Sequence, residues 1–133
     1  MDVFRVENDE KVRLPFNSKH HILSTFSYQP INKDWHFDCR LHWFGKKKLV
    51  DTSQNPTEFQ MPNQSDPYTT LSAQLTKEIK DLNIYVGCEN IFNFKQENPI
   101  ISWQNPFGEY FDVSNNWGPT KGREFYIGLR FKI

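Results

Sequence analysis

Large apolar residues occupy every odd position from Phe125 to Ile133, and the even positions between them hold Tyr126, Gly128, Arg130 and Lys132. A period of two sends alternate side chains to opposite faces, so this segment is predicted to be a strand with one apolar and one polar face. A helix of the same sequence would spread Phe, Ile and Leu around its circumference. The alternation recurs upstream. Trp35, Phe37, Cys39, Leu41 and Trp43 alternate with His36, Asp38, Arg40 and His42, and Leu82, Ile84, Val86 and Cys88 alternate with Asn83, Tyr85, Gly87 and Glu89. Ile22, Ser24, Phe26 and Tyr28 share a face opposite Leu23, Thr25 and Ser27. Segment 68–79 fits two periods. Leu71, Leu75, Ile79 and Leu82 have helical spacing, whereas Leu71, Ala73, Leu75 and Ile79 form a strand face interrupted by Lys77. The β-prone head Tyr68-Thr69-Thr70 and the turn candidate Lys80-Asp81 favour the strand.

The predicted strands lie near 20–29, 34–46, 68–79, 82–93 and 123–133, with a sixth piece between Val3 and Val12. Their connections run short, long, short, long: 29–34, 45–67, the residues around Lys80-Asp81, and 93–122. Tight turns at one end and extended loops at the other are the pattern of a transmembrane β-barrel. The expected fold is therefore all-β, an antiparallel up-and-down meander of about five or six long strands forming a segment of a transmembrane β-barrel. Bacterial outer-membrane barrels start at about eight strands, so the chain is expected to be the C-terminal part of something larger.

Composition narrows the function classes. The chain has 133 residues, which suits one domain. Sixteen basic and 16 acidic side chains balance to zero, without the basic cluster of a nucleic-acid binder, so no nucleic-acid partner is expected. Mean hydropathy is −0.73, and no apolar run approaches the ~18 residues of a membrane-spanning helix. The opening Met1-Asp2-Val3-Phe4-Arg5 lacks the apolar core of a secretory signal. Cys39 and Cys88 form no disulfide framework and are expected not to be bonded to each other, lying on the second and fourth strands of the meander with one strand between them. Aromatic residues make up 16% of the chain, too many for a disordered one, so the rings have a face to cover.

Three segments carry a family resemblance. Gly87-Cys88-Glu89-Asn90-Ile91-Phe92-Asn93 resembles the Gly-x-Glu-Asn-Leu-x-Asn/Asp segment near the end of TonB-dependent outer-membrane receptors. Asn98-Pro99-Ile100-Ile101, Asn105-Pro106-Phe107-Gly108-Glu109-Tyr110-Phe111-Asp112 and Trp117-Gly118-Pro119 look like the last large loop of such receptors from Bacteroidetes-type bacteria. Residues 122–133 are similar to their closing strand. The likeness is strongest over 68–133, looser over 17–52 and absent before that.

The resemblance implies that residues 1–133 are the C-terminal segment of a plugged barrel in the cell outer membrane, importing a scarce nutrient such as an iron chelate (siderophore) or cobalamin. It implies as partners outer-membrane lipid, the remainder of the barrel and its plug, the barrel-assembly machinery, and TonB only through an N-terminal part that this segment lacks. No plug domain is expected within these residues, and the isolated chain is expected to transport nothing. Phe125, Ile127, Leu129, Phe131 and Ile133 would form the assembly-signal strand. Ile133 stands where many such proteins end in Phe.

Other groupings have blander readings beside the functional ones. At ~3.3 Å per residue, Trp35 and Trp43 stand roughly 26 Å apart on one face, close to the ~25 Å between barrel aromatic girdles; two core tryptophans of a sandwich would also fit. His36, Asp38 and His42 point the same way but are spread along the strand, which suits a watery lumen better than a metal centre. Trp103, Phe107, Tyr110, Phe111 and Trp117 suggest a ligand-facing extracellular loop, against a self-packed loop whose rings hold it in place. No catalytic motif occurs, so neither an enzyme nor a cofactor is expected. The alternative from another class is a small soluble β-sheet protein binding an apolar ligand on its aromatic face.

Overall fold

The computed structural model describes residues 4–7, 10–31 and 34–132, with side chains from Leu14 onward. Strands β1 (Phe4–Glu7) and β2 (Glu10–Arg13) pair antiparallel as a small sheet of their own, where a single sixth strand was expected. The main sheet consists of β3 (His21–Tyr28), β4 (Trp35–Phe44), β5 (Tyr68–Ile79), β6 (Leu82–Glu89) and β7 (Glu124–Phe131). Its order is β3-β4-β5-β6-β7, a meander in chain order. The contested segment 68–79 is a strand, because its apolar positions gain a continuous face only with period two.

The expected barrel segment does not survive as such. The sheet is open and not closed into a barrel: β3 and β7 are its two edges, with no further strand beside either among the described residues. Five strands fall short of the roughly eight with which outer-membrane barrels close.

Register follows from turn chemistry. Ile79 pairs with Leu82, so Lys80-Asp81 is a two-residue turn, with Lys80 in the left-handed region at φ 53°. Strand β6 stops at Glu89, short of the expected residue 93. Asn90 turns left-handed (φ 49°), and its side chain donates to the Phe94 carbonyl (2.7 Å) while accepting from the Phe94 N–H (3.1 Å). That local loop satisfies backbone groups which would otherwise have continued the ladder.

Between β6 and β7, Gly87 lies opposite Tyr126 and Tyr85 opposite Gly128. Each tyrosine ring lies across the facing glycine, where a Cβ would collide with the ring. The two rings meet at 6.4 Å, and Tyr126 donates to the Gln74 side chain at 3.0 Å. Each glycine is therefore a slot for a cross-strand ring, which pins the register of the edge strand.

The chain divides into two compact units: residues 22–43, 69–94 and 121–133 hold most of the main sheet, and residues 1–21, 44–68 and 95–120 hold the small sheet and the long loops. Among the described residues of the loop unit, the buried apolar ones are Leu49, Tyr68 and Ile101, accompanied by buried Thr52, Ser65, Gln96 and Asn115. Cys39 and Cys88 are free thiols on β4 and β6, with β5 between them.

Candidate functional site

The pairings Ala73–Cys88, Leu75–Val86 and Lys77–Ile84, continued by Val86–Ile127, Ile84–Leu129 and Leu82–Phe131, put these side chains on one face. Strand β4 joins it through Trp35, whose ring lies 4.7 Å beneath the Lys77 ammonium. Strand β3 joins through Phe26, whose ring is 6.4 Å from that of Phe37. All five strands thus contribute to an apolar face, and no second layer of described residues covers it. Ile127 is 77% exposed and Phe125 76%, against 3% for Leu49 in the loop unit. Folded chains rarely leave contiguous apolar patches above a few hundred Å² uncovered unless something binds there.

Lys77 is the one charged side chain on this face among the described residues. It was the interruption in the strand pattern of 68–79, and only the register shows that it sits over an aromatic ring at the short-turn end of the face. A cation on a ring gains from the ring quadrupole and keeps its charge available to an anion above it.

The opposite face is polar. Asp38 accepts from Ser27 Oγ (2.6 Å) and from His36 Nε2 (3.0 Å). A shallow concavity of about 440 Å³ is lined by Thr25, Ser27, Asp38, Arg40, Gln74 and Tyr126, among others. Burial, with Glu89 nearby, pushes the Tyr126 phenol above its ordinary value. Among the described residues, no group of three or more His, Cys, Asp or Glu side chains is placed to hold a metal.

The expected loop site is divided. Tyr110 stacks on Phe59 (5.2 Å), and Trp117 packs on Tyr68 (5.8 Å). These two rings hold the loop unit together. Trp117 completes a cluster in which His21, Phe44 and Tyr68 stack in succession, with Lys47 over the Phe44 and Tyr68 rings at 5.0 and 5.2 Å. The Lys47 ammonium donates to the Trp117 carbonyl (2.6 Å) and to the Tyr68 hydroxyl (3.2 Å). Burial lowers the Lys47 pKa and raises that of Tyr68. The triple-lysine run 46–48 gave no hint of this arrangement. Trp103 (64% exposed), Phe107 (99%) and Phe111 (36%) are the loop rings left outward, with Trp103 beside a cavity of about 540 Å³. Of the expected closing-strand residues, Phe125, Ile127, Leu129 and Phe131 lie on the apolar face, and Ile133 lies outside the described residues.

No family model matches the chain, and neither a curated protein nor a solved structure is significantly similar to it. The receptor resemblance therefore rests on its motifs alone. The expected function as a barrel segment of a nutrient importer, and the outer-membrane location as part of such a barrel, are corrected: the fold is an open, unclosed sheet, and no receptor matches it.

Proposed function

We propose that the main sheet is a binding surface for an amphiphile with one long apolar chain and an anionic head, of the fatty-acid class. The chain lies along the aromatic face, and the head sits at Lys77. The observation that carries this reading is the uncovered apolar face with the one cation among its described residues held over Trp35 at one end. Apolar area gives the affinity, at about 25 cal/mol per Å² removed from water. The Lys77 ammonium gives orientation, because a carboxylate placed away from it on the described part of this face would be left unpaired. Binding of this kind requires no chemistry, which fits a chain without a catalytic motif.

Trp35 and Trp43 report on the face once Trp103 and Trp117 are replaced by Phe. Titration with a dibrominated stearate below its micelle concentration is expected to quench the two remaining tryptophans saturably. Lys77→Glu is expected to weaken that binding about tenfold. Quenching that never saturates, or none up to the solubility limit, overturns the binding surface. An unchanged affinity in Lys77→Glu overturns the placement of the head group.

A further inference from the structure

The outer edge of β7 carries a pattern that the apolar face does not explain. About Ile127 the strand is self-complementary: Glu124 and Arg130 stand at equal distances on either side, as do Phe125 and Leu129, and Tyr126 and Gly128. Two such strands running antiparallel about a dyad at Ile127 would set each Glu124 directly opposite the second copy's Arg130. Phe125 would face the second copy's Leu129, and Tyr126 would face its Gly128. Residues directly opposite in an antiparallel pair point to the same side of a sheet. Both apolar faces would therefore lie on one side, and both polar faces on the other.

Within one chain the charge on this strand is poorly matched. Glu124 lies directly opposite Glu89, and its ion-pair partner is the exposed Lys121 at 3.3 Å. Like charges directly opposite each other are unfavourable across a ladder, so an arginine arriving from the other side would relieve the pair. Arg130 lies opposite the neutral Asn83. The other edge strand, β3, has neither an acid nor a base in its central residues, Ile22 to Ser27, with which to specify a partner. An open edge of eight residues presents a row of backbone donors and acceptors, a template for another strand.

We propose that β7 is a dimerisation edge, and that its partner is the β7 strand of a second copy of this chain in antiparallel register about Ile127. The product is a continuous ten-stranded sheet with two-fold symmetry, each copy contributing the five strands of its main sheet. This surface is distinct from the apolar face, so fatty-acid binding can fail while pairing stands, and the reverse.

The test uses the full chain with Cys39→Ser and Cys88→Ser. Across the proposed dyad the two Ile127 Cα atoms would be about 4.5–5.5 Å apart, within disulfide range. Ile127→Cys is expected to give a disulfide-linked dimer on mild oxidation. Leu129→Cys, displaced from its own copy by several residues, is expected to stay largely unlinked. In sedimentation, Arg130→Glu is expected to weaken dimerisation at least tenfold, and Glu124→Arg with Arg130→Glu to restore it. A chain that remains monomeric at 100 µM overturns the proposal. So does equal cross-linking through positions 127 and 129, or a charge swap that fails to rescue. Should a variant fold poorly, hydrogen exchange on the unaltered chain decides: β7 amides must gain protection as protein concentration rises, and protection independent of concentration overturns the dimer.

Discussion

The two units of this chain handle polarity in opposite ways. In the loop unit, residues 1–21, 44–68 and 95–120, the interior formed by the described residues is small and mixed: Leu49, Tyr68 and Ile101 are buried together with Thr52, Ser65, Gln96 and Asn115. In the sheet unit, large apolar side chains such as Phe26, Val86, Ile127 and Leu129 are exposed, and the ladder holds the strands. The usual arrangement, apolar inside and polar outside, is weak in the first unit and absent from one face of the second. A loop without a ladder must satisfy its buried backbone groups through side chains. Gln96 does this three times, donating to the Asn115 carbonyl (2.6 Å) and accepting from the Trp117 and Gly118 N–H groups (2.8 and 2.9 Å). A strand with both backbone partners supplied is free to spend its side chains on a surface.

If the loop unit depends on its few buried apolar residues, Ile101→Ala will have the largest effect. The expected loss is about 2–5 kcal/mol of unfolding free energy, read by urea titration. A loss below half a kcal/mol would mean that the polar network alone holds the unit. The network itself is tested by a pair of substitutions. Gln96→Ala strands several backbone groups and is expected to cost about 1–3 kcal/mol, while Asn115→Leu is expected to be neutral or mildly stabilising. The Asn115 amide is fully buried and makes no side-chain hydrogen bond among the described residues, so an apolar replacement removes a cost and leaves no partner unsatisfied. Equal destabilisation by the two would break this account of the loop interior.

On the sheet, Leu129→Ser is expected to shift stability by no more than about 0.5 kcal/mol, because the side chain is already exposed. A loss comparable to that of Ile101→Ala would show that another layer covers the face in solution and would erase the contrast between the units.

The smallest effect belongs to Lys47. Burial lowers its pKa in the folded chain, so near the ordinary lysine value of about 10.4 the unfolded chain binds the proton more tightly. The stability of the native chain relative to Lys47→Met is therefore expected to rise as pH climbs through the lowered value toward 10.4, and to be lost again as pH falls back through it. Urea midpoints at pH 7, 8.5 and 9.5 measure this, below the range where Tyr68, whose pKa is raised, begins to oppose it. A difference that stays flat with pH would place Lys47 in a wetter setting than its stacked rings indicate.

Period-two alternation was enough to place the strands of the main sheet, because each face demands its own kind of side chain whatever the neighbours are. It also identified the apolar face and, through the break at Lys77, left a trace of the cation on it. Strand ends were less legible: Asn90 stops β6 through a side-chain loop that competes locally with the ladder, and alternation carries no record of such competition. The barrel inference failed at a different level. Loop lengths specify which end each turn occupies, but closure depends on how many strands meet and at what tilt, which no single strand encodes. The loop aromatics behaved the same way. Trp103 and Trp117 look equivalent in the sequence, yet one stands outward and the other packs on Tyr68 beside Lys47, a partner 70 positions away along the chain. Local periodicity is a property of neighbouring residues and can be read from the chain, whereas long-range partners such as Lys47 and Trp117 exist only once the fold has brought them together.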